Sequence, residues 1–344
     1  MQSMQLTGIR QMEMMDVPKP DIQTDTDVLI RMQTVGVCGS DVHYYTTGKI
    51  GTQVVQYPFA VGHEGAGVVE KIGSAVKSLR VGDRVAIEPA MPCGNCDQCL
   101  SGRPHTCRKL RFLGCPGQAE GCLSEYIVMP QSSCLPLPAT MSFELATIAE
   151  PLAIGLYAAH LAGEVKDRNI AVLGSGPIGL SVLAAVRLAG AKHVYVTDKI
   201  DERLAIAINS GATGIYNVLH TNAVKEIENQ EPLLLDIVFE CCGQQEALDQ
   251  AVDLLKPGGK LVIVGIPQFS RFSFSAEDIR RKEISILNVR RQNGFDKEAL
   301  KTIADGRIPV EHWITHHFDF EDSKEAFDLV SDYQDGVMKA MICF

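Results

Sequence analysis

A chain of 344 residues is long enough for two domains with separate cores, and 46% hydrophobic with 22% charged residues is a globular composition. A formal net charge of −10 argues against nucleic acid or an anionic membrane as partner, because phosphate contacts need clustered Lys and Arg. It leaves room for a phosphate-bearing cofactor, which backbone amides at a helix start can hold.

The first residues, Met1 to Arg10, lack the basic start and continuous apolar run of a signal peptide. No stretch reads as the ~20 apolar residues needed to span a bilayer, so the expected location is cytoplasmic. Eleven cysteines are unusual in that compartment unless some bind metal, since disulfides do not persist there.

Residues 1 to 35 read as short strands and turns, with Asp27 to Met32 alternating like a half-buried strand. A small-residue turn then presents Cys38, followed by Ser40 and His43. A lone cysteine among apolar neighbours reads first as a buried small residue. Ser40 and His43 read either as a turn serine and a satisfied histidine or as a proton relay from a closed site. The stretch Val61 to Val69 carries His63 and Glu64 between glycines that allow a tight backbone turn. Cys38, His63 and the two carboxylates Glu64 and Glu150 are good ligands for a zinc that keeps one position open.

Leu79 to Ala90 reads as a turn and a strand. Next come Cys93, Cys96 and Cys99, with Cys107 eight residues on; four thiolates so spaced can close a tetrahedral structural zinc site. The other cysteines have no such spacing and read as ordinary thiols. Glu150 follows a helical-looking Phe143 to Ala149 and precedes Pro151. It reads equally as a surface glutamate or as a metal-site residue, because burying it unpartnered is costly.

From about residue 155 strands and helices alternate, the pattern of a parallel sheet with crossover helices. Asn169 to Gly174 is a buried-strand run leading into Gly174, Gly176, Pro177, Ile178 and Gly179, and then into an apolar helix from Leu180. A second strand from His193 ends at Asp198, nineteen residues beyond Gly179. A strand, G-x-G-x-x-G, a helix and an acidic strand end form a dinucleotide fingerprint. Asp198 would accept from the adenosine ribose and repel a 2′-phosphate, favouring NAD, while Lys199 and Arg203 could offset that repulsion. Further strands are expected at Leu235–Glu240, Lys260–Gly265 and Glu283–Asn288, with Pro257–Gly259 as a turn. Gly265 reads as a turn glycine or as a close approach to the nicotinamide. Helices are expected at Phe295–Asp305 and Glu321–Tyr333, with solvated charged faces.

Taken together, Gly62-His63-Glu64-x-x-Gly67, Gly73 and Val76, the four-cysteine set and Gly174 to Gly179 resemble the zinc-dependent medium-chain alcohol dehydrogenases, in order along nearly the whole chain. Within that family, Val37 to Tyr44, Gly48 to Gly51 and Glu150-Pro151-Leu152 resemble the sorbitol and xylitol (polyol) dehydrogenase branch. Many members of that branch lack the structural zinc that this chain keeps.

The resemblance implies an α/β fold: a Rossmann cofactor domain over 155–290 and a mainly β GroES-like catalytic domain over 1–154, completed by 291–344 and carrying the structural-zinc lobe. Cys38, His63 and Glu64 would hold the catalytic zinc, with Glu150 as a further ligand or as the partner of the zinc-site water. Tyr44 and Arg290 match substrate-contacting positions, though both read equally as surface or packing residues. Val264, Gly265, Ile266, Asn288, Val289 and Arg290 match stretches lining the nicotinamide, and Arg203 would lie over the adenosine.

The implied reaction is NAD-linked oxidation of a polyol's secondary hydroxyl to a ketose, and its reverse. Other candidate substrates are L-threonine, a sugar acid or a phosphorylated polyol. A non-catalytic zinc- and nucleotide-binding protein is the reading from a different class. A homotetramer or dimer is implied, and the strand Lys260–Gly265 is a candidate for pairing across subunits.

Overall fold

The computed structural model describes all residues from 1 to 344. Two compact units are present: Met1–Glu150 with Asp296–Gly306 and Val310–Phe344, and Pro151–Phe295 with Arg307–Pro309.

The first unit is built on the strand Asp27–Gly36, whose apolar run Val28, Leu29 and Ile30 is buried. It pairs antiparallel with Glu64–Ile72, Tyr126–Pro130 and Lys339–Cys343. The sheet continues outward through Arg84–Ile87 and Cys134–Pro136 on one side and Ile314–Asp319 on the other. Val28, Ile30, Val61, Leu123 and Ile342 are fully buried in its core. Truncating Ile30, Leu123 or Ile342 to Ala costs about 2–5 kcal/mol. The register sets Gly36 opposite both Glu64 and Met341, which fixes where the segments carrying Cys38 and Glu64 meet.

Sequence periodicity misses the last two strands, Ile314–Asp319 and Lys339–Cys343. Each is short, and the second is so thoroughly buried that it lacks the alternation of a half-exposed strand.

The second unit holds a six-stranded sheet in the order Gly214–Asn217, His193–Asp198, Asn169–Leu173, Leu235–Glu240, Leu255–Ile263, Ser285–Asn288. Every pairing is parallel. Chain order reverses between Asn169–Leu173 and Leu235–Glu240, the switch point where such sheets bind ligands at their carboxyl ends. Leu173, Val238, Leu248 and Leu261 pack its core.

The Pro257–Gly259 turn is absorbed into Leu255–Ile263, where the pairing to its neighbour jumps from Leu255 to Lys260. That strand is paired on both sides, so Lys260–Gly265 is not a free edge for the pairing across subunits expected of it; Ser285–Asn288 and Gly214–Asn217 form the two edges.

The helix expected before Glu150 runs on through Pro151 to Ala162. Proline removes one helical N–H donor at that point without ending the helix. At 20 residues and mean hydropathy 1.4 it also meets the length and polarity of a membrane span, which the sequence reading did not find. With 72% of its most apolar window buried inside the protein, it is a core helix.

Candidate metal centre and cofactor turn

Cys38 follows the end of the central strand and caps the helix Gly39–Thr47, with extended backbone (φ −96°, ψ 147°). The expected turn is thus a strand-to-helix junction, anchored where the Val37 N–H donates to the Ala340 carbonyl at 3.0 Å. One turn into the helix stands Asp41, fully buried. One of its oxygens accepts from the Gly62 N–H at 3.2 Å and meets His63 Nδ1, also at 3.2 Å. His63 is therefore held by one ring nitrogen, leaving Nε2 for a metal.

Glu64 opens the next strand, and a Cβ at position 36 would lie 2.5 Å from its Oε2. Only glycine leaves that space. Cys38, His63 and Glu64 bring one ligand atom each to within 4.8 Å of one another.

A thiol, an imidazole and a carboxylate fit zinc, and three ligands leave the fourth position that catalysis needs. Burial, with Glu64 close by, pushes the Cys38 thiol up. Burial opposes charge on His63, but Asp41 and Cys38 outweigh it and raise the imidazole well above its ordinary value.

Glu150 is not in this convergent set; it lines a recess with Gly65, Ile87, Glu88 and Asp296. Ser40 Oγ donates to Cys38 Sγ at 3.4 Å. His43, one helical turn further, has its pKa lowered by burial.

Tyr44 is buried, and its hydroxyl donates to Gln53 Oε1 at 3.3 Å and lies 3.8 Å from Cys115 Sγ. Burial and Cys115 raise that phenol above its usual range. Asp41, Gln53 and Lys339 join the site with no local sequence signal to mark them. Lys339 is 2% exposed and its ammonium pairs with Glu64 Oε2. A lysine next to an apolar strand reads as a surface residue, and its partner is 275 positions away.

The second cluster is local. Cys93, Cys96, Cys99 and Cys107 converge within 4.8 Å, with Cys96 Sγ 3.6 Å from Cys99 and Cys107 Sγ 3.4 Å from Cys93. Backbone N–H groups of Cys99 and Arg108 pull the Cys96 thiol down to about 6, while burial and Cys96 push Cys99 up to about 12. Four sulfurs can fill all four positions of a tetrahedral zinc, which suits a structural metal.

In the other unit Gly174 takes a left-handed φ of 98°, and a Cβ on Gly179 would lie 1.8 Å from the Gly174 carbonyl oxygen. Gly176 caps the helix Pro177–Leu188, with Pro177 and Ile178 in its first turn. Asp198 holds this turn itself: one oxygen accepts from Ser175 N–H (2.6 Å) and hydroxyl (3.0 Å), the other from the N–H groups of Lys199 (2.7 Å) and Ile200 (3.1 Å). A ribose hydroxyl would have to displace or share these bonds.

Arg203 is buried, with its guanidinium 3.6 Å from where a Gly176 Cβ would stand. Val264 and Gly265 N–H donate to the Glu240 carbonyl at 2.8 and 3.0 Å, and a Cβ on Gly265 would lie 2.4 Å from Gly243 N. Close packing therefore requires that glycine. Ile266, Asn288 and Arg290 are exposed, and the Val289 N–H donates to Ile263 at 2.9 Å.

Residues 24–139 match the alcohol dehydrogenase GroES-like domain, and residues 177–305 match the zinc-binding dehydrogenase domain. The chain is 35% identical over 334 residues to a sorbitol dehydrogenase of Bacillus subtilis, covering 97% of this chain and 94% of that one. It is 36% identical to an L-idonate 5-dehydrogenase of Vitis vinifera, covering 88% and 84%. A solved Escherichia coli dehydrogenase of unknown specificity superposes with a TM-score of 0.94 at 32% identity, over 99% of this chain and 98% of that one. The chain belongs to the zinc-dependent alcohol dehydrogenase family and is a zinc-binding oxidoreductase.

Proposed function

We propose that the protein interconverts a secondary hydroxyl of a small polyol of the sorbitol or xylitol kind and the corresponding ketose, with NAD as the hydride carrier. The observation that carries this reading is the convergence of Cys38, His63 and Glu64 within 4.8 Å beside a Tyr44–Gln53 polar pair. Similarity to the sorbitol dehydrogenase over almost the whole chain supports the substrate class.

Cys38, His63 and Glu64 would hold the catalytic zinc, and the four cysteines of the lobe the structural one. A zinc held there supplies Lewis acidity that lowers the pKa of a hydroxyl. Asp41 fixes His63 so that Nε2 faces the ligand set. His43, whose neutral form is favoured by burial, accepts the released proton, and the Ser40 hydroxyl both steadies Cys38 and hands the proton along. Glu150 orders water beside the ligand set.

Tyr44 and Gln53 offer the hydroxyl and amide that a polyol chain needs, and Arg290 is a second substrate contact. Gly174 to Gly179 would take the pyrophosphate on the helix start, Asp198 and Arg203 the adenosine, and Val264–Ile266 with Asn288–Arg290 the nicotinamide. The Asp198 carboxylate favours NAD over NADP by repelling a 2′-phosphate. A cytoplasmic homotetramer or dimer completes the proposal.

Similarity to the L-idonate dehydrogenase favours a second reading, the same chemistry on a sugar acid. Steady-state rates with sorbitol, xylitol, L-idonate and L-threonine, each with NAD and NADP, decide between them. Turnover of polyols with NAD at kcat/KM well above the others is expected. Turnover of L-idonate alone moves the assignment to sugar acids, and turnover of none overturns both.

A further inference from the structure

We propose that Lys339 is a positioning residue of the metal centre, holding Glu64 so that it offers the metal a single oxygen and a coordination place stays open for substrate. This rests on the reading of Cys38, His63 and Glu64 as the zinc ligands.

The ammonium of Lys339 is buried, at 2% exposure, against a Glu64 that is 1% exposed. It donates to Glu64 Oε2 and also to the Val37 carbonyl at 3.3 Å. One side chain thus ties the segment that presents Cys38 to the strand that presents Glu64. The backbone repeats the tie next door, where the Val37 N–H donates to Ala340 at 3.0 Å. Gly36 completes the arrangement, since a Cβ there would sit 2.5 Å from Oε2 and push the carboxylate off the ammonium.

The chemical consequence follows from how carboxylates bind metals, with one oxygen or with both. Both oxygens of Glu64, together with Cys38 and His63, would supply four donor atoms, the closed set of a structural zinc. With Oε2 engaged by a charge-assisted bond in a dry setting, only Oε1 remains to be offered. Lys339 is therefore what separates a three-donor centre with an open place from a closed one.

The test loads the full chain with Co2+ in place of zinc and compares the parent with Lys339→Met and Lys339→Arg. The visible spectrum of the centre is read as the difference from Cys38→Ala, which carries metal in the four-cysteine lobe alone. Geometry and donor number set that spectrum. Lys339→Met is expected to keep its metal content, to shift the cobalt bands, and to lose kcat by about tenfold or more, the scale of other residues that orient metal ligands, with KM changed less. Lys339→Arg is expected to restore the bands and most of kcat.

A parental spectrum in Lys339→Met overturns the proposal, as does metal loss whose kcat defect is cured by added zinc. If Lys339→Met does not fold, Lys339→Gln, which keeps N–H donors without the charge, is expected to shift the bands part of the way; parental bands there overturn the proposal equally. A parent that takes up cobalt only in the lobe overturns the ligand reading itself, an outcome distinct from any failure confined to Lys339.

Discussion

Four cysteines within fifteen residues make one centre of the first unit, whereas Cys38, His63 and Glu64 make the other from a helix cap, a loop and the start of a strand. The lobe's cysteines are mostly half-exposed and held by turn N–H groups, such as those of Cys93 and Lys109 on Cys107 Sγ at 3.3 Å. In the mixed centre His63 and Glu64 are buried, Cys38 is half-exposed, and Asp41, Lys339 and the glycine at 36 surround them. A site that only clips a loop can be written locally with one ligand type. A site that must stay open needs neighbours that restrain each ligand, and those neighbours come from across the fold.

The strongest way to break this contrast is to remove a ligand from each centre in turn. Cys38→Ala is expected to cut kcat by about a thousandfold, the several kcal/mol that a Lewis acid supplies. Zinc content should fall by one per chain while NAD titration, followed by fluorescence quenching, stays as in the parent. Polyol turnover at the parental rate would refute the assigned centre.

Next in size is Asp41→Asn, which leaves His63 in place but weakens its hold. A loss of about 10–100-fold in zinc affinity or kcat is expected, read by competition with a chromophoric chelator. Unchanged affinity and unchanged kcat would make Asp41 only a packing group.

Smaller still in its effect on turnover is Cys96→Ser. It should release the lobe zinc and open residues 93–110 to proteolysis, with kcat falling by less than about tenfold, because that metal orders a loop and does no chemistry. A collapse of kcat to the level of Cys38→Ala would erase the distinction between the two centres.

Asp236→Asn, in the cofactor unit, sets the floor. Burial alone would raise the Asp236 carboxyl, but Lys256, the Asn169 N–H and Arg168 outweigh it and hold its pKa below the usual range. A depressed folded pKa contributes stability above the unfolded value of about 4 that is lost as pH falls through the folded value. The variant should lose about 1 kcal/mol near neutral pH and show a flatter acid limb in thermal melts, with both zincs and kcat unaltered. An identical melting profile from pH 7 to pH 3 would show that the Lys256 and Arg168 pairs are screened away.

Legibility in the sequence follows the same contrast. The cysteine lobe, the glycine turn and the Leu235–Glu240 strand could be read directly, because each is specified by residues next to one another. Cys38, His63 and Glu64 could be named as types and, through family resemblance, as a set. Asp41 lies inside the Val37 to Tyr44 stretch without standing out, because a buried aspartate looks like any helix-start acid until His63 is placed against it. Lys339 was invisible for the same reason over a longer span. Local rules also failed at Pro151, where a residue that normally ends a helix lies inside one held by the surrounding core. Short strands such as Gly214–Asn217 carry too few residues for a period to register.

The position of Lys339–Cys343 between Asp27–Gly36 and Ile314–Asp319 also sets an order of events during synthesis. Residues 1–150 leave the ribosome long before the strand that completes their sheet, and the whole of 151–295 is made in between. The parallel-sheet unit has all but three of its residues by then and can fold as it emerges, domain by domain. The first unit must wait with its cysteines, His63 and Glu64 already translated but the ammonium that steadies Glu64 still missing. On the proposed assignment, zinc offered to the nascent chain would find the four-cysteine lobe first and the mixed centre last.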